Sequence, residues 1–484
     1  MMRQMSLQYD VIIIGCGPAG EAAASLAADF RKRVAIVDAR GVGAAESDRA
    51  DGRLGFFALR EAAMVASGLA RMPLPGLHRT ETAGQPLADF AASRQALRDR
   101  AGDRIKSALD RPNIDLHAGR ARLIDGRTVD VTDGEGRSTT LKADFILIAT
   151  GSMPHFPAGV PADHPRIAAP WSALSLETLP GSLLIAGGDA AAYACASIFA
   201  ALGVKVTLAC PDKSGLPFLD VECRDHLALA MKSGGVEFRF GSAVRQVDEI
   251  KGGRLRIVLD KGQPVESDAM LWHGARRAAV DGLDLEQAGV ELTPEGFIAV
   301  DEFARTNVST VFAAGDTTGS GFLASTSVAH GRHAVSQMFE TTLKRRADHL
   351  IPTCLHTIPP VSCIGVGEDE AREAGLPVVT GRALLQFNAR GQAGGERTGI
   401  LKCIFNRHNQ KLLGAVIVGR EAPELIHLAQ HVMIADGGID DFIGMSFNQP
   451  TLSELYRFAA YAALQSIARF EERDDDYGVL AKVA

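Results

Sequence analysis

The 484-residue sequence predicts an α/β fold with two Rossmann-like units and a C-terminal α+β unit. Three observations support this prediction. An apolar strand enters a glycine-rich turn and an Ala-rich helix at residues 11–28, and a similar strand, turn and helix follow at 183–202. A third apolar strand ends in Gly-Asp at 311–316. Strands that alternate with helices are typical of parallel sheets, and the length suits roughly three domains.

The first unit opens with YDVIIIGCGPAG, in which Val11–Ile14 predict a buried strand. Gly15, Gly17 and Gly20 form the pattern GxGxxG. Such glycines allow a tight turn, close approach of a pyrophosphate and packing of helix on strand. A second strand ends in Asp38, an acid placed to accept hydrogen bonds from a ribose. The segment therefore predicts a dinucleotide site with the pyrophosphate at a helix N-terminus.

Two further segments indicate which dinucleotide binds. TNVSTVFAAGD (306–316) predicts a strand that enters Gly315 and Asp316, and FILIATGSMP (145–154) contains Thr150 and Gly151. They resemble the second fingerprint and the closing turn of FAD domains in two-dinucleotide flavoproteins, where the aspartate holds the ribityl chain. The resemblance implies bound FAD. Ala121 and Ala324 are further expected cofactor positions, and the helix near Ser325 is expected to direct its N-terminus toward the flavin.

Composition excludes several other classes. The chain is 46% hydrophobic and 23% charged, as ordinary globular proteins are, and its net charge of −7 gives no reason to expect nucleic acid. No membrane span or signal peptide is expected. Seven scattered cysteines without a CxxC pair predict a reducing, cytoplasmic compartment. Cys354, His356 and Cys363 have no standard metal spacing, and buried thiols are the favoured interpretation over a metal site.

The predicted domains follow from these segments. Residues 1–155 and 281–345 form the FAD unit, with helical character at 86–110 and short strands at 114–148. Residues 156–280 form an inserted NAD(P)-like unit, and residues 350–470 form the C-terminal unit. The remaining tail, 471–484, begins with a charge run and is expected to be a solvated extension.

This order of units resembles that of the pyridine nucleotide–disulfide oxidoreductases. The segments most similar to the soluble pyridine nucleotide transhydrogenase subgroup are HPRI (165–168), CASIFAALGVKVTL (195–208), LASTSVAHGR (323–332) and SFNQPTLSELYRFAA (446–460). The resemblance covers nearly the whole chain and implies a homodimer formed by the C-terminal unit. An apolar helical face is expected to contribute to that interface, comprising Leu455, Phe458, Ala459 and Ala462.

Several family motifs are altered. No cysteine occurs at 41–62, where the disulfide enzymes have a CxxxxC pair, so dithiol exchange by that route is excluded. The family's lysine beside flavin N5 corresponds to Phe56 or Phe57, and its glutamate partner corresponds to Ala194. Removal of both charges together avoids leaving one buried and unpaired. The charge chemistry beside N5 is therefore expected to differ from that of the family.

The NAD(P) fingerprint is degraded as well. Gly187, Asp189 and Ala192 occupy the three glycine positions, so a carboxylate is expected to face the pyrophosphate. Cys210 lies where NAD-specific relatives often have an acid, and the later GR motif is altered to GARR (274–277). An unconventional NAD(P) site remains one interpretation. A Rossmann-like unit retained for packing is the favoured alternative.

The C-terminal unit shows a similar change, because Gln449 replaces the histidine of an HPxxxxE motif and Glu454 aligns with its glutamate. Glutamine cannot carry protons as histidine does. Gln449 and Glu454 are weak catalytic candidates, and His330, His333 and His356 are interpreted as surface or core residues. Three functions remain open: a transhydrogenase-like FAD enzyme, an FAD flavoprotein that uses a protein partner or oxygen, and a non-catalytic FAD-stabilised subunit.

Overall fold

The computed structural model describes residues 7–39, 56–71, 99–169, 179–341, 350–396 and 398–481. It confirms the predicted α/β class. The strands are β1 (Leu7–Ile14), β2 (Val34–Asp38), β3 (Ile114–Ala118), β4 (Arg120–Asp125), β5 (Thr128–Thr132), β6 (Ser138–Ile148), β7 (Ser152–Pro154), β8 (Ile167–Ala168), β9 (Ser182–Gly187), β10 (Lys205–Cys210), β11 (Val236–Phe240), β12 (Val244–Glu249), β13 (Leu255–Leu259), β14 (Val265–Ser267), β15 (Ala269–His273), β16 (Arg276–Ala278), β17 (Val311–Ala313), β18 (Thr353–Leu355), β19 (Val361–Gly365), β20 (Val378–Leu384), β21 (Ile400–Asn406) and β22 (Leu412–Val418).

Helices connect these strands and cover the sheets. The α-helices are α1 (Pro18–Asp29), α2 (Phe56–Arg71), α3 (Ala190–Ala201), α4 (Val221–Ser233), α5 (Ala324–Met338), α6 (Glu368–Glu373), α7 (Ala389–Ala393), α8 (Ala422–Ile434), α9 (Ile439–Gly444) and α10 (Leu455–Ala481). Short 3-10 helices span Gly315–Thr318, Leu385–Phe387 and Leu452–Glu454. Residues 99–109 are helical, as expected, and the remainder of the helix predicted at 86–110 lies outside the described residues.

The first unit is a sheet in the order β3-β2-β1-β6-β5-β4, with β17 beside β6. Strands β1, β2, β6 and β17 are parallel where they pair, with Ile14 opposite Ile148 and Ala313 also opposite Ile148. Apolar residues of the central strands, such as Ile12, Ile36 and Ile146, are completely buried, because helices cover one face of the sheet and the 283–298 segment covers the other. This register brings the loops after β1, β6 and β17 to one edge of the sheet.

The second unit is a parallel sheet in the order β11-β10-β9-β15-β8. Gly187 and His273 are opposite each other at the carboxyl ends of β9 and β15. The chain enters and leaves this unit side by side, since β7 pairs antiparallel with β16. Residues at this double connection therefore lie between the edges of the two Rossmann-like sheets.

The C-terminal unit is an antiparallel sheet in the order β18-β19-β22-β21-β20. Helices α8 and α10 pack on it, and α10 approaches β20 so closely that a Cβ on Gly381 would meet the Ala459 carbonyl oxygen. Leu455 and Ala459 are completely buried in this unit, whereas Phe458 is 39% exposed. The apolar face expected at a dimer interface is thus partly the unit's own core. The boundary expected at 470 is no break, because α10 continues to Ala481.

A buried ionic cluster joins the second and C-terminal units. The ammonium of Lys402, on β21, lies 2.9 Å from Asp220 Oδ2, 3.0 Å from Glu222 Oε2 and 2.6 Å from Glu368 Oε2. Arg382 also contacts Glu222 and Glu368. The Lys402 side chain is 3% exposed, so its charge depends on these carboxylates for stabilisation. Within the described residues, no helix is long and apolar enough to cross a membrane.

Candidate functional site

The glycine turn of the first unit is open toward solvent at the start of α1. Gly15 has φ +101°, and a Cβ there would lie 2.5 Å from the Ala149 carbonyl oxygen. A Cβ on Gly20 would collide with the Gly15 carbonyl oxygen. A Cβ on Gly17 would meet nothing within 4 Å, and Gly17 is the N-cap of α1 without a capping side chain. The turn therefore offers space and backbone N–H groups to an anion.

Asp38 lies beside this turn, as its sequence position predicts. Its side chain is buried, at 8% exposure, and Oδ2 accepts a hydrogen bond from the Cys16 N–H at 3.0 Å. The Asp38 carbonyl accepts from the Gly119 N–H at 3.0 Å, which places the start of β4 next to it. Ala121 follows two residues later on β4, where it is buried. The carboxylate is thus held at the carboxyl end of β2.

Asp316 meets the same sheet edge from the other side. It accepts hydrogen bonds from the hydroxyls of Ser152 (3.1 Å) and Ser327 (3.3 Å). Gly315, with φ +76°, is packed so tightly that a Cβ would lie 3.1 Å from Ala19 Cβ. Thr150 reaches the same region, with its hydroxyl 3.4 Å from that of Thr317. The three predicted FAD segments are therefore adjacent in the structure.

Helix α5 begins at Ala324 in this region, and its N-cap, Leu323, has no capping side-chain bond. A second helix N-terminus without a capping side chain therefore borders the Gly15–Gly20 turn and Asp316. These residues fit a dinucleotide with a long polar linker, because two helix starts and two carboxylates are available along one sheet edge. Gly151, with φ +76°, turns the chain there.

The equivalent turn of the second unit differs at its second glycine position. Gly187 has φ +149°, and a Cβ there would collide with the His273 carbonyl oxygen. Asp189 is the N-cap of α3, and its Oδ1 accepts a hydrogen bond from the Ala192 N–H at 2.7 Å. One of the N–H groups that a pyrophosphate would use is therefore already bound to a carboxylate. Sequence analysis predicted a charge facing the ligand but missed this capping bond.

His273 lies next to the Asp189 carboxylate and stabilises its charge. The imidazole is buried, with Nδ1 3.5 Å from Asp189 Oδ1 and Nε2 3.3 Å from Cys195 Sγ. Burial opposes ionisation of Asp189, but His273 and the Ala192 N–H outweigh it and lower the pKa of the carboxyl group. Burial raises the pKa of Cys195 well above its ordinary value. Asp189 is therefore ionised at neutral pH, whereas Cys195 is a neutral thiol.

Sequence analysis missed His273, although a histidine that ends the apolar strand AMLWH was a usable signal. Polar residues at the carboxyl ends of parallel strands commonly line a site. Arg276, part of the altered GARR motif, lies nearby and connects the two units. Its Nε donates to Ser152 Oγ at 2.9 Å, and its charge faces both Asp316 and Asp189.

The second unit's own side chains occupy the region after β10. In the 211–220 loop, Asp212 Oδ1 accepts a hydrogen bond from the Gly215 N–H at 2.9 Å, and the chain becomes buried at Gly215 and Leu216. Leu216 is completely buried in the same apolar cluster as Tyr193. Cys210, at the end of β10, is also fully buried. The end of β10 therefore presents apolar groups where an acid would hold a ribose.

The residues that align with the family's lysine and glutamate beside flavin N5 lie on two helices. Ala194, on α3, is 5% exposed, and Phe57, on α2, is 44% exposed. The Phe57 ring meets the His356 ring edge-on, with centroids 5.5 Å apart. The side chain of Phe56 lies outside the described residues. Phenylalanine and alanine therefore occupy the positions where the resemblance implies a lysine and a glutamate.

Gln449 and Glu454 are brought together as a structural pair. The Gln449 amide donates to Glu454 Oε1 at 2.9 Å, and Arg457 Nη1 lies 3.6 Å from the same oxygen. Glu454 is 9% exposed. The carboxylate therefore has two partners in its own unit. Among the described residues, no group of three or more His, Cys, Asp or Glu side chains could hold a metal ion.

Fold and site together define a two-Rossmann flavoprotein with a C-terminal interface unit. Residues 9–337 match the family model "Pyridine nucleotide-disulphide oxidoreductase", and residues 351–460 match the dimerisation domain of the same family. The chain belongs to the pyridine nucleotide–disulphide oxidoreductase family. This confirms the resemblance inferred from the sequence.

Two curated relatives carry the name soluble pyridine nucleotide transhydrogenase. The chain is 35% identical over 455 residues to the soluble pyridine nucleotide transhydrogenase of Mycobacterium bovis, covering 94% of this chain and 96% of the relative. It is 34% identical over 466 residues to the protein of that name from Pseudomonas aeruginosa, covering 95% and 99%. The subgroup resemblance is therefore also confirmed.

Solved structures agree on the fold. LpdA from Mycobacterium tuberculosis superposes with a TM-score of 0.85 at 24% identity, covering 94% of this chain and 99% of that one. The Cu(II) complex of the HOCl-induced flavoprotein disulfide reductase RclA from Escherichia coli superposes with a TM-score of 0.81 at 25% identity, with the same coverage. The fold of this chain therefore agrees with that of these two proteins over 94% of its length.

Proposed function

We propose that this chain is an FAD-dependent oxidoreductase whose flavin receives electrons poorly, if at all, from NADH or NADPH. The observation that supports this most strongly is the contrast between its two Rossmann turns. The N-cap of α1 is Gly17, with open space above it, whereas the N-cap of α3 is Asp189, whose carboxylate already binds the Ala192 N–H. One turn favours a pyrophosphate and the other opposes it.

The first unit supplies the expected contacts to FAD. The Gly15–Gly20 turn and the start of α1 would bind the pyrophosphate, and Asp316 would bind the ribityl chain. Bound FAD supplies two-electron chemistry at its flavin ring. The start of α5 adds positive potential near that ring, which favours the reduced, anionic form of the cofactor.

The second unit opposes a nicotinamide nucleotide in three ways. The ionised Asp189 repels a pyrophosphate, the buried Leu216 and Tyr193 fill the region beyond β10, and Phe57 with Ala194 removes the charges that the resemblance implies beside N5. A nicotinamide ring that binds without orientation loses much of its hydride-transfer rate, since misplacement by about 1 Å can cost on the order of 100-fold.

A soluble pyridine nucleotide transhydrogenase is the second candidate, because relatives of that name are 34–35% identical over more than nine-tenths of the chain. A third possibility is an FAD-stabilised subunit without catalysis, in keeping with an intact FAD site beside altered catalytic motifs. We further propose a cytoplasmic homodimer. The match to the family's dimerisation domain and the relatives' description as soluble support this.

Anaerobic mixing of the FAD-loaded protein with NADH and with NADPH tests the proposal. We expect the flavin absorbance band to change slowly or not at all with either nucleotide, while dithionite bleaches it fully. Rapid bleaching by either nucleotide contradicts the proposal and supports the transhydrogenase. A flavin that no physiological class of donor or acceptor can reduce or oxidise supports the non-catalytic subunit.

A further inference from the structure

The three units of the chain meet at one apolar junction. Leu59 and Ala63 of α2 pack against Ile198 of α3, and Ile358, from the turn after β18, packs against this cluster. The Ile358 N–H donates to Ser197 Oγ at 3.0 Å. Junctions between domains are common places for small-molecule sites because several elements converge there.

Two exposed rings lie at the rim of this junction. Phe57 precedes Leu59 on α2, and His356 precedes Ile358 in the turn after β18. The two rings meet edge-on, with centroids 5.5 Å apart. The Cys354 thiol lies 3.8 Å from His356 Nδ1. A titratable imidazole is therefore presented to solvent between an aromatic ring and a thiol.

The rim adjoins the end of the FAD unit where α5 starts. The Ser325 hydroxyl, in the first turn of α5, donates to the Pro352 carbonyl at 3.4 Å. Pro352 precedes β18, whose last residue is followed directly by His356. The short strand thus runs from the start of α5, at the sheet edge that holds Asp316, to the imidazole.

The charges around the imidazole keep it neutral at rest. Partial burial and the Arg60 guanidinium lower the pKa of His356, and Glu61 opposes them. Arg60 is itself buried, with Nε donating to the Thr357 carbonyl at 3.1 Å. Burial raises the pKa of the neighbouring Cys354 to about 12, so this thiol is neutral too. His356 is the titratable group of this cluster that can change its charge near neutral pH.

We propose that His356 takes up a proton when the bound flavin gains two electrons and returns it when the electrons leave. This inference rests on the proposed FAD binding. An imidazole with a depressed pKa is unprotonated beside a neutral group, and a new negative charge close by raises its pKa so that it binds a proton from solvent. Two electrons and one proton then enter the cofactor, and a second proton enters the imidazole.

The C-terminal unit lacks the proton-carrying histidine that the resemblance implies. Gln449 replaces the family's proton-carrying histidine and is bound to Glu454 instead. Gln449 cannot titrate near neutral pH. His356 would supply a proton carrier in place of the histidine that Gln449 replaces.

Proton uptake during anaerobic electrochemical reduction, with a one-electron mediator that carries no protons, tests the inference. The FAD-loaded protein and its His356→Gln variant are reduced in weakly buffered solution with a pH indicator, between pH 6.5 and 7.5. We expect the protein to take up about two protons for each two electrons and the variant about one. The exposed His408, in a turn of the C-terminal unit, provides the matched control, and His408→Gln should behave as the unaltered protein.

Equal uptake by the unaltered protein and His356→Gln, with FAD bound in both, overturns the inference and leaves FAD binding intact. Failure of the unaltered protein to bind FAD contradicts the proposed function instead. If His356→Gln loses FAD, proton uptake is measured in Phe57→Lys instead. Phe57 is exposed, and a cation at this position should keep the imidazole unprotonated. Uptake should then fall toward one proton, and an unchanged value of two overturns the inference.

Discussion

Replacement of Asp189 should open the second unit to a nicotinamide nucleotide. The carboxylate has two separable effects, because it is negatively charged and it also occupies the Ala192 N–H at 2.7 Å. Asp189→Asn removes the charge and keeps a side chain that caps helices equally well. Asp189→Gly removes both effects and costs only a few tenths of a kcal/mol in capping.

The expected magnitudes follow from the geometry. Two unit charges about 4 Å apart repel by about 4 kcal/mol at an effective dielectric of 20, but the Asp189 side chain is 48% exposed and solvent screens part of this. About 2 kcal/mol remains after that discount, which is roughly a 30-fold change in the dissociation constant. The freed Ala192 N–H can bond a phosphate, and a hydrogen bond to a charged group contributes about 1.5–3 kcal/mol more.

Isothermal titration of NAD⁺ into the FAD-loaded proteins measures these effects. Affinity should increase from the unaltered protein to Asp189→Asn and again to Asp189→Gly, by roughly 30-fold and then at least 10-fold. Flavin reduction by NADH should improve less than binding, because Phe57 and Ala194 are unchanged. Tight binding by the unaltered protein, or no gain in Asp189→Gly, would refute the reasoning.

Four further predictions address the remaining parts of the molecule. Gly17→Asp, the reverse change at the α1 turn, should abolish FAD retention on purification while the far-UV circular dichroism stays native, because the open space above Gly17 would be filled by a carboxylate; a yellow variant contradicts it. Lys402→Met should lower the free energy of unfolding by about 3–5 kcal/mol in chemical denaturation, since three carboxylates lose their shared cation, and a change below about 1 kcal/mol contradicts it. Burial opposes ionisation of Glu222 and Glu368, but Arg382, Arg372 and Lys402 outweigh it and lower the pKa values of both carboxyl groups below the ordinary 4.5. The contribution of these carboxylates to the free energy of unfolding is therefore complete above about pH 4.5 and is lost as the pH falls through the lowered pKa values. The melting temperature should fall below pH 4.5, and by less in Lys402→Met. Light scattering at micromolar concentration should report a dimer, for which Phe458 and Tyr461, at 39% and 45% exposure, offer apolar surface on α10, and a monomer contradicts the proposed assembly.

Local sequence patterns predicted the fold and the FAD segments well. Strands β1, β9 and β17 and helix α3 lie where apolar runs and small residues indicated, because buried parallel strands and glycine turns depend on nearest neighbours in sequence. The adjacency of Gly15, Thr150 and Asp316 followed from the shared sheet edge. Their roles toward FAD remain predictions.

Contacts between distant parts of the chain could not be predicted in the same way. The sequence shows Asp189 as an acid at a glycine position. Its contact with His273, 84 residues later in the chain, depends on β15 lying beside β9. Lys402 and Asp220 are 182 residues apart, and no local pattern relates them. Leu455 and Ala459 were predicted to lie at the dimer interface, but they are buried inside their own unit. An apolar stripe on a helix does not reveal which surface it covers.

We propose that the turn after β1 accepts a dinucleotide and that the carboxylate of Asp189 keeps one out of the turn after β9. A count of bound dinucleotides tests it most directly. The protein is equilibrated with excess FAD and millimolar NAD⁺, separated rapidly from free ligand and denatured, and both nucleotides are quantified by chromatography. We expect one FAD and no NAD⁺ for each unaltered chain, and NAD⁺ bound beside FAD in Asp189→Gly. One NAD⁺ beside each FAD in the unaltered protein would contradict it.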